Sequence, residues 1–413
     1  MVYTSAALNY LPKVRKLFAS VRKHHPEFEL VLALADRLPA TMDFSKEPLD
    51  RVISVEQLDI PDRTRWIYFH TLVELATAIK PFVMASLLRE PNVERVIYLD
   101  PDMVLFSRID DIVSVLGTAN IALTPHQTEP ETTLEAIEDN EICSLKHGIY
   151  NLGFIAVSNT DEAKRFAQWW SDRVYYYCVA DIPNGLFTDQ RWIDFAPVFF
   201  DGVHILKSPR FNVATWNLTT RKLAGDQAKG YTVNGEPLGF YHFTGFDSGA
   251  HRLMASKNAP MNEAVTSLVD WYTEQTRFDE LDPISHQTWG FANYEDGTPI
   301  PLVHRRYYRL RTDLRNTFIE PFQVGNDMSL RSWMVHQGPV ERPDLFVTSP
   351  LPIAETVPVE TVKKNSNHGF RRMFSAMSQF FSSSDYRNEI TGNLRAVWRE
   401  KGPLGLLSYI FKF

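Results

Sequence analysis

Residues 98–102 read Tyr-Leu-Asp-Pro-Asp, and the apolar run Val96-Ile97-Tyr98-Leu99 leads straight into the two aspartates. Carboxylates one residue apart repel each other, and burying either is costly unless a cation pairs with it. At the end of a buried strand, Asp100 and Asp102 make a hard-oxygen site suited to Mg²⁺ or Mn²⁺. Such ions keep positions open for water and phosphate oxygens. The competing reading has one aspartate capping a turn and the other solvated.

Three further stretches carry residues of the right types. In "GFYHFTGFD", residues 239–247, His242 lies between aromatic residues on an alternating run that ends in Thr-Gly. Its imidazole is a candidate third metal ligand, against the reading of a satisfied core histidine, and Gly245 lets backbone approach a phosphate closely. In "NGLFTDQRWIDF", Asp189 and Gln190 set a carboxylate beside an amide, able to hold a polyhydroxylated substrate or to stabilise developing positive charge. The plainer alternative is a helix start capped by Thr188 or Asp189. In "HGIYNLGFIAV", Asn151 and Gly153 open a strand, where a short polar side chain and a missing one border either a ligand or a turn.

The elements that must position these residues follow from periodicity. "MVYTSA" and "FELVLALAD" read as strands, and between them Leu11, Val14, Leu17, Phe18 and Val21 recur at helical spacing. "RVISVEQL" is a short extended run. A longer helix carries Leu72, Leu75, Ala76 and Ile79, with Lys80-Pro81 interrupting its end. "RVIYLD", "NIALTP" and "YNLGFIAVSN" are further strands. Asn159 or Thr160 caps a helix bearing Phe166, Trp169, Trp170 and Val174. Strands alternating with helices imply a doubly wound, mostly parallel α/β sheet, which binds ligands beyond the carboxyl ends of its strands. Asp100 and Asp102 stand at such an end.

Composition narrows the rest. At 413 residues, 44% hydrophobic and 23% charged, the chain is long enough for one large α/β domain with an appendage. A net charge of −7 argues against a nucleic-acid partner. Two cysteines make no disulfide framework and fit a reducing compartment. The first residues have no basic start followed by an apolar core, and no apolar run approaches the roughly 20 residues of a membrane span. The expectation is a cytoplasmic protein, at most peripheral to the inner face of a membrane.

Taken in order, "YLDPD", "NLG", "TDQ" and "HFTG" resemble the signature of the family 8 glycosyltransferases, nucleotide-sugar enzymes of the GT-A fold. The resemblance covers roughly residues 1–255. It implies a GT-A sheet flanked by helices, with Asp100, Asp102 and His242 holding Mn²⁺ (or Mg²⁺) against a diphosphate. It further implies that Asn151, Gly153, Asp189 and Gln190 hold the donor sugar. Thr4 and Ala6, on the first strand, fall on the nucleotide-base side, and Lys80 contacts donor or metal carboxylates unless it is a solvated helix lysine. The implied partners are a nucleotide-diphospho-sugar, with UDP-sugars favoured, and a glycan or lipid-linked acceptor; the implied outcome is retention of anomeric configuration. The chain departs from the family twice. The closing motif continues Phe246-Asp247-Ser248 where a diphosphate-contacting lysine is usual, and Arg191 follows "DQ" in place of a carboxylate. Arg191, Arg252 and Lys80 are the cations available to compensate.

Two other readings compete. A sugar-nucleotide pyrophosphorylase needs a glycine-rich loop after the first strand, which "SAALNYLPKVRK" lacks. A non-catalytic nucleotide- or glycan-binding relative would be free to lose the metal residues, which are all present.

Beyond the catalytic region, residues 256–338 read as a helical and irregular extension, and 339–369, rich in Pro, Val and Thr, as a linker. Residues 370–413 carry seven Lys/Arg against three Asp/Glu, and Phe370, Met373, Phe374, Met377, Phe380 and Phe381 share one helical face. That tail reads as a membrane-surface helix serving a lipid-linked or cell-envelope acceptor, or as a helix docked on protein; docking is the commoner use of such a helix. "YEDGTPIPLVHRRYYR" offers Arg305, Arg306 and Arg309 either to an anionic acceptor or as a brace. Trp216 and Asn217 are candidates to stack on and hydrogen-bond a sugar, against core packing.

Overall fold

The computed structural model describes residues 1–39, 42–325 and 328–346. Nine strands organise the site: β1 (Val2–Ala6), β2 (Leu30–Leu34), β3 (Arg51–Ser54), β4 (Arg95–Leu99), β5 (Met103–Leu105), β6 (Ile121–Pro125), β7 (Tyr150–Ser158), β8 (Val203–Ile205) and β9 (Phe240–His242). Seven form one sheet in the order β8-β6-β7-β4-β1-β2-β3. All are parallel except β7, which runs antiparallel to both β4 and β6. The doubly wound, mostly parallel sheet expected from the alternation is therefore present, with helices on both faces.

Alternate residues of the strands feed two cores. Tyr3, Val31 and Ala33 face one core, and Val2, Leu30, Leu32 and Leu34 the other. The second core is closed by α1 (Leu11–His24), through the apolar stripe read from its spacing. The first is closed by α2 (Leu72–Leu87) and α3 (Asp161–Tyr177), through Leu75, Ile79, Val83, Phe166 and Trp170. Thr160 is the residue that caps α3, accepting the Ala163 N–H at 3.2 Å. The expected break of α2 at Lys80-Pro81 does not occur: Pro81 lies inside the helix. An internal proline costs about 3 kcal/mol, but stopping there would strip Val83, Met84 and Leu87 of their complete burial, and three such side chains outweigh it.

Among the described residues, Gly245–Leu253 belong to a second unit, distinct from the one that holds the sheet. Residues 256–338 include α4 (Glu263–Thr276) and α5 (Leu302–Leu310), and their Phe291, Tyr294 and Tyr308 join the first core. The basic cluster on α5 is a brace. Arg305 donates to the carbonyls of Tyr68 (2.7 Å), His70 (2.9 Å) and Phe291 (2.5 Å). Arg309 donates to the Phe69 carbonyl at 2.7 Å and pairs with Glu74 at 3.0 Å. Glu74 and Thr71 form the capping box that starts α2, so the brace fixes the helix that carries Lys80. The linker expected at 339–369 lies mostly, and the basic tail at 370–413 wholly, outside the described residues. Among the described residues no helix is long and apolar enough to cross a membrane.

Beside the brace, His304 binds the Tyr294 hydroxyl at 2.8 Å, and burial, then the charges of Arg331 and Arg305, push its pKa down to about 4. Below pH 6.5 the unfolded chain takes up a proton that folded His304 refuses, so stability falls as pH drops from 6.5 toward 4. At about 1.4 kcal/mol per unit the full loss is about 3 kcal/mol. Thermal unfolding of His304→Gln at pH 7 and 4.5 is expected to show a shallower acid decline than the parent; equal declines would contradict the assignment.

Candidate active site

Asp100 and Asp102 bracket the turn that joins β4 to β5, closed by the Met103 N–H donating to the Asp100 carbonyl at 3.1 Å. β5 pairs antiparallel with β9, setting Met103 opposite His242, and the Phe243 N–H donates to the Asp102 carbonyl at 2.9 Å. This two-stranded ladder brings residues 140 positions apart in the chain onto one carboxylate pair. His242 Nε2 lies 3.1 Å from Asp102 Oδ1 and 3.8 Å from Asp100 Oδ2. The three donor atoms all fall within 4.8 Å of one another. His242 is 4% exposed, while the Asp102 and Asp100 side chains keep 16% and 25%, which leaves the carboxylates open on one side.

The electrostatics favour a cation. Burial alone would lower the His242 pKa, but the Asp102 carboxylate beside it raises it overall. Burial opposes ionisation of Asp102, yet the charge and hydrogen bond of His242, with Lys13 on α1, hold its pKa below the usual range. Two oxygens and an imidazole nitrogen, partly open to solvent, fit a divalent ion of the Mn²⁺ or Mg²⁺ type.

Lys80 is buried behind this cluster. Its Nζ lies 3.3 Å from Asp100 Oδ1 and 3.3 Å from Asp189 Oδ2, donates to the Leu152 carbonyl at 3.2 Å, and sits 4.5 Å above the Tyr98 ring. Tyr98 in turn donates its hydroxyl to Asp100. Lys80 is thus an internal ion-pair partner, not a solvated helix lysine. Asp189 is 1% exposed; burial pushes its pKa up, against the pull of Lys80. The preceding Thr188 holds φ 46°, a left-handed conformation that costs a β-branched residue about 1–3 kcal/mol.

Asn151, Gly153 and Gln190 form the floor. Gln190 Oε1 accepts from the Leu152 N–H at 2.9 Å and Asn151 Nδ2 at 3.3 Å, and its Nε2 donates to the His147 carbonyl at 3.0 Å. Asn151 Oδ1 accepts from the Gly153 N–H at 3.1 Å and from Asn212 at 3.0 Å. Asn151 Nδ2 also lies 3.2 Å from His126 Nε2, and burial pushes His126 down to about 4. The Asp100 N–H donates to the Gly153 carbonyl at 2.7 Å. A Cβ on Gly153 would stand 2.5 Å from Met103 Cε, 2.7 Å from His242 Cε1 and 2.8 Å from Asn151 Oδ1. Glycine is required there because three neighbours occupy the space of a side chain.

The structure therefore gathers Asp100, Asp102, His242, Lys80, Asp189, Gln190, Asn151 and Gly153. Thr4 and Ala6 stay sealed inside β1, at 0% and 3% exposure, because that strand is covered on both faces. Gly245 opens the second unit, where φ 68° needs a glycine in the Gly245–Gly249 turn. Of the cations considered for the missing lysine, Arg191 pairs with Asp194 at 2.6 Å, and Lys80 is in place. Lys13, 6% exposed with its amine 5.5 Å from the Tyr272 ring, is a basic neighbour of Asp102 that sequence reasoning missed. Its helical spacing marks only the polar side of α1, so no local signal distinguishes it. A second group, His25, Glu27 and Asp110, has ligand-like spacing, but Arg108 already engages both carboxylates and the Ile109 N–H occupies His25 Nε2.

No protein-family model matches the chain. It is similar to two uncharacterised proteins of Bacillus subtilis (strain 168). YfnD is 25% identical over 248 residues, covering 59% of this chain and 76% of that protein. YfnF is 27% identical over 176 residues, 42% of this chain and 57% of that protein. Among solved structures, the galactosyltransferase LgtC in complex with donor and acceptor sugar analogues overlaps 67% of this chain and 99% of its own, at 15% identity and a TM-score of 0.40. The glycosyltransferase GlyE of Streptococcus pneumoniae TIGR4 overlaps 52% of this chain and 47% of its own, at 14% identity and a TM-score of 0.34.

The close contact of Gly153 with Met103 and His242 is testable by a double-mutant cycle. Gly153→Ala is expected to destabilise by about 1–3 kcal/mol, and by clearly less in a Met103→Val background, where the nearest clashing atom is gone. Strictly additive effects in denaturant unfolding would show that the two residues do not share this space.

Proposed function

We propose that the protein is a metal-dependent glycosyltransferase of the GT-A type, moving a sugar from a nucleotide-diphospho-sugar to a hydroxyl on a glycan or lipid-linked acceptor. The observation that carries this reading is the convergence of Asp100, Asp102 and His242 Nε2 within 4.8 Å at the carboxyl end of a central strand. Lys80 and Asp189 lie directly behind them. The order of the four motifs along the chain supports it. A sugar-nucleotide pyrophosphorylase is disfavoured because the first glycine of the chain is Gly117, well beyond the loop after β1.

In this reading Asp100, Asp102 and His242 would hold Mn²⁺ (or Mg²⁺), which when bound would supply a Lewis acid for the charge of the departing diphosphate. Lys80 balances the carboxylates and fixes Asp100 and Asp189 relative to each other. Asp189, or the neighbouring Gln190, would stabilise the oxocarbenium-like sugar as its anomeric C–O bond lengthens. Gln190, with three internal hydrogen bonds, positions the Asn151–Gly153 strand beside Asp189. Asn151 and Gly153 would border the donor. Retention and a UDP-sugar donor follow from the family resemblance alone.

Calorimetric titration with UDP, GDP, CDP and dTDP, each with Mn²⁺ and with EDTA, tests the proposal. One nucleotide is expected to bind only with metal, and Asp102→Asn to weaken it at least tenfold, about 1.4 kcal/mol. If no nucleotide binds under any condition, the glycosyltransferase reading fails.

A further inference from the structure

Trp216 lies beside the candidate site, its ring against that of His242. Trp66 and Trp170 are fully enclosed in the first core, whereas Trp216 is only partly buried. Its ring centroid lies 5.5 Å from that of His242 and 5.2 Å from that of His126, edge-on to both. One of those imidazoles belongs to the carboxylate cluster; the other lies 3.2 Å from the amide of Asn151, which contacts Gln190. The indole thus spans the two halves of the candidate site.

The backbone that presents it is immobilised from several sides. Asn217 Oδ1 accepts the Ala214 N–H at 3.0 Å, and Asn217 Nδ2 donates to the carbonyls of His126 (3.2 Å) and Asn212 (3.1 Å). Asn217 is fully buried, so it braces the turn and offers nothing to a sugar. Asn258 Nδ2 holds the Thr215 carbonyl at 2.8 Å, and Gln127 Nε2 donates to the Trp216 carbonyl itself. A core tryptophan is held by apolar packing; this one is aimed by amides.

The Trp216 indole N–H and Gln127 Oε1 are among the buried polar atoms that lack a partner within the protein, as is Nδ1 of the adjacent His242. Gln127 cannot exchange its amide ends, because its Nε2 is committed to a carbonyl. An orphan indole N–H alone marks nothing, since Trp170 and Trp192 have one as well. An unpartnered donor on Trp216 and an unpartnered acceptor on Gln127, whose amide holds the Trp216 carbonyl, beside the His242 ring form a complement to a pyranose: C–H against the indole, hydroxyls to the two polar atoms.

We propose that Trp216, assisted by Gln127, is a carbohydrate-contacting wall of the site, stacking on a sugar ring and donating its N–H to a hydroxyl. This rests on the glycosyltransferase reading and goes beyond the metal and diphosphate contacts. The ring comes from the donor or from the acceptor, and the test separates them.

Trp216→Phe keeps a ring and removes the N–H; Trp216→Leu removes both. Each is titrated, with Mn²⁺, with the nucleoside diphosphate that binds the parent and with its glucose, galactose and N-acetylglucosamine esters. Methyl β-glucoside and methyl β-galactoside are titrated into the nucleotide-loaded protein as acceptor probes. Affinity for the bare nucleotide is expected to stay within about twofold. For a donor contact, the affinity added by the sugar of the ester falls severalfold in Trp216→Phe and vanishes in Trp216→Leu. For an acceptor contact, the methyl glycoside affinity falls in that order instead. A lower melting temperature with both sugar increments unchanged would make Trp216 a packing residue and overturn the proposal. So would a parent protein in which no sugar adds affinity. Loss of all nucleotide binding in the parent would instead strike the glycosyltransferase reading.

Discussion

Asp100 and Asp102 repel each other, and the rest of the site is arranged around that repulsion. The turn after β4 places both carboxylates where the sheet ends, and burial makes their charge expensive unless it is answered. Lys80 answers from within, 3.3 Å from Asp100, and His242 from above, 3.1 Å from Asp102. Asp189 then adds a third carboxylate against the same lysine. Three carboxylates converge here on the ammonium of Lys80 and one imidazole, with Lys13 a more distant cation, and the carboxylates' side open to solvent is where a divalent ion would bind.

The scaffold accepts costs elsewhere to keep this arrangement. Thr188 adopts a left-handed backbone ahead of Asp189, Pro81 sits inside the helix that delivers Lys80, and Gly153 gives up a side chain to let Met103 and His242 close over it. The α2 helix is pinned at its start by Arg305 and Arg309 from α5: Arg305 donates to main-chain carbonyls, and Arg309, through Nη2, to the Phe69 carbonyl and the Glu74 carboxylate. Burial pulls the Arg305 pKa down to about 10, a measure of how dry that brace is. Rigid support of this kind holds Lys80 and the carboxylates it pairs with in a fixed geometry.

The parts legible in the sequence were those with a local signature. A stripe at helical spacing placed α1, an apolar run ending in Asp-x-Asp placed β4 and its turn, and the four short motifs named seven residues that the fold gathers, with Lys80 added from the helix ahead of the first motif. Three-dimensional partners were not legible. The basic run around Arg305 reads alike whether its charges meet a ligand or carbonyls 235 or more positions away. Lys13 looks like any polar residue on an amphipathic helix until β5 and β9 set Asp102 beside it. Thr4 and Ala6 lie in the right strand but are sealed within it, because a strand covered on both faces exposes none of its side chains. Pro81 misled because a breaking tendency of a few kcal/mol was read without the burial that opposes it.

The most direct measurement is anomalous diffraction from crystals soaked in Mn²⁺. The account predicts one strong peak roughly 2 Å from carboxylate oxygens of Asp100 and Asp102 and from His242 Nε2, absent in crystals of Asp102→Asn. No peak there at saturating Mn²⁺, or a peak between Glu27 and Asp110 instead, would contradict it.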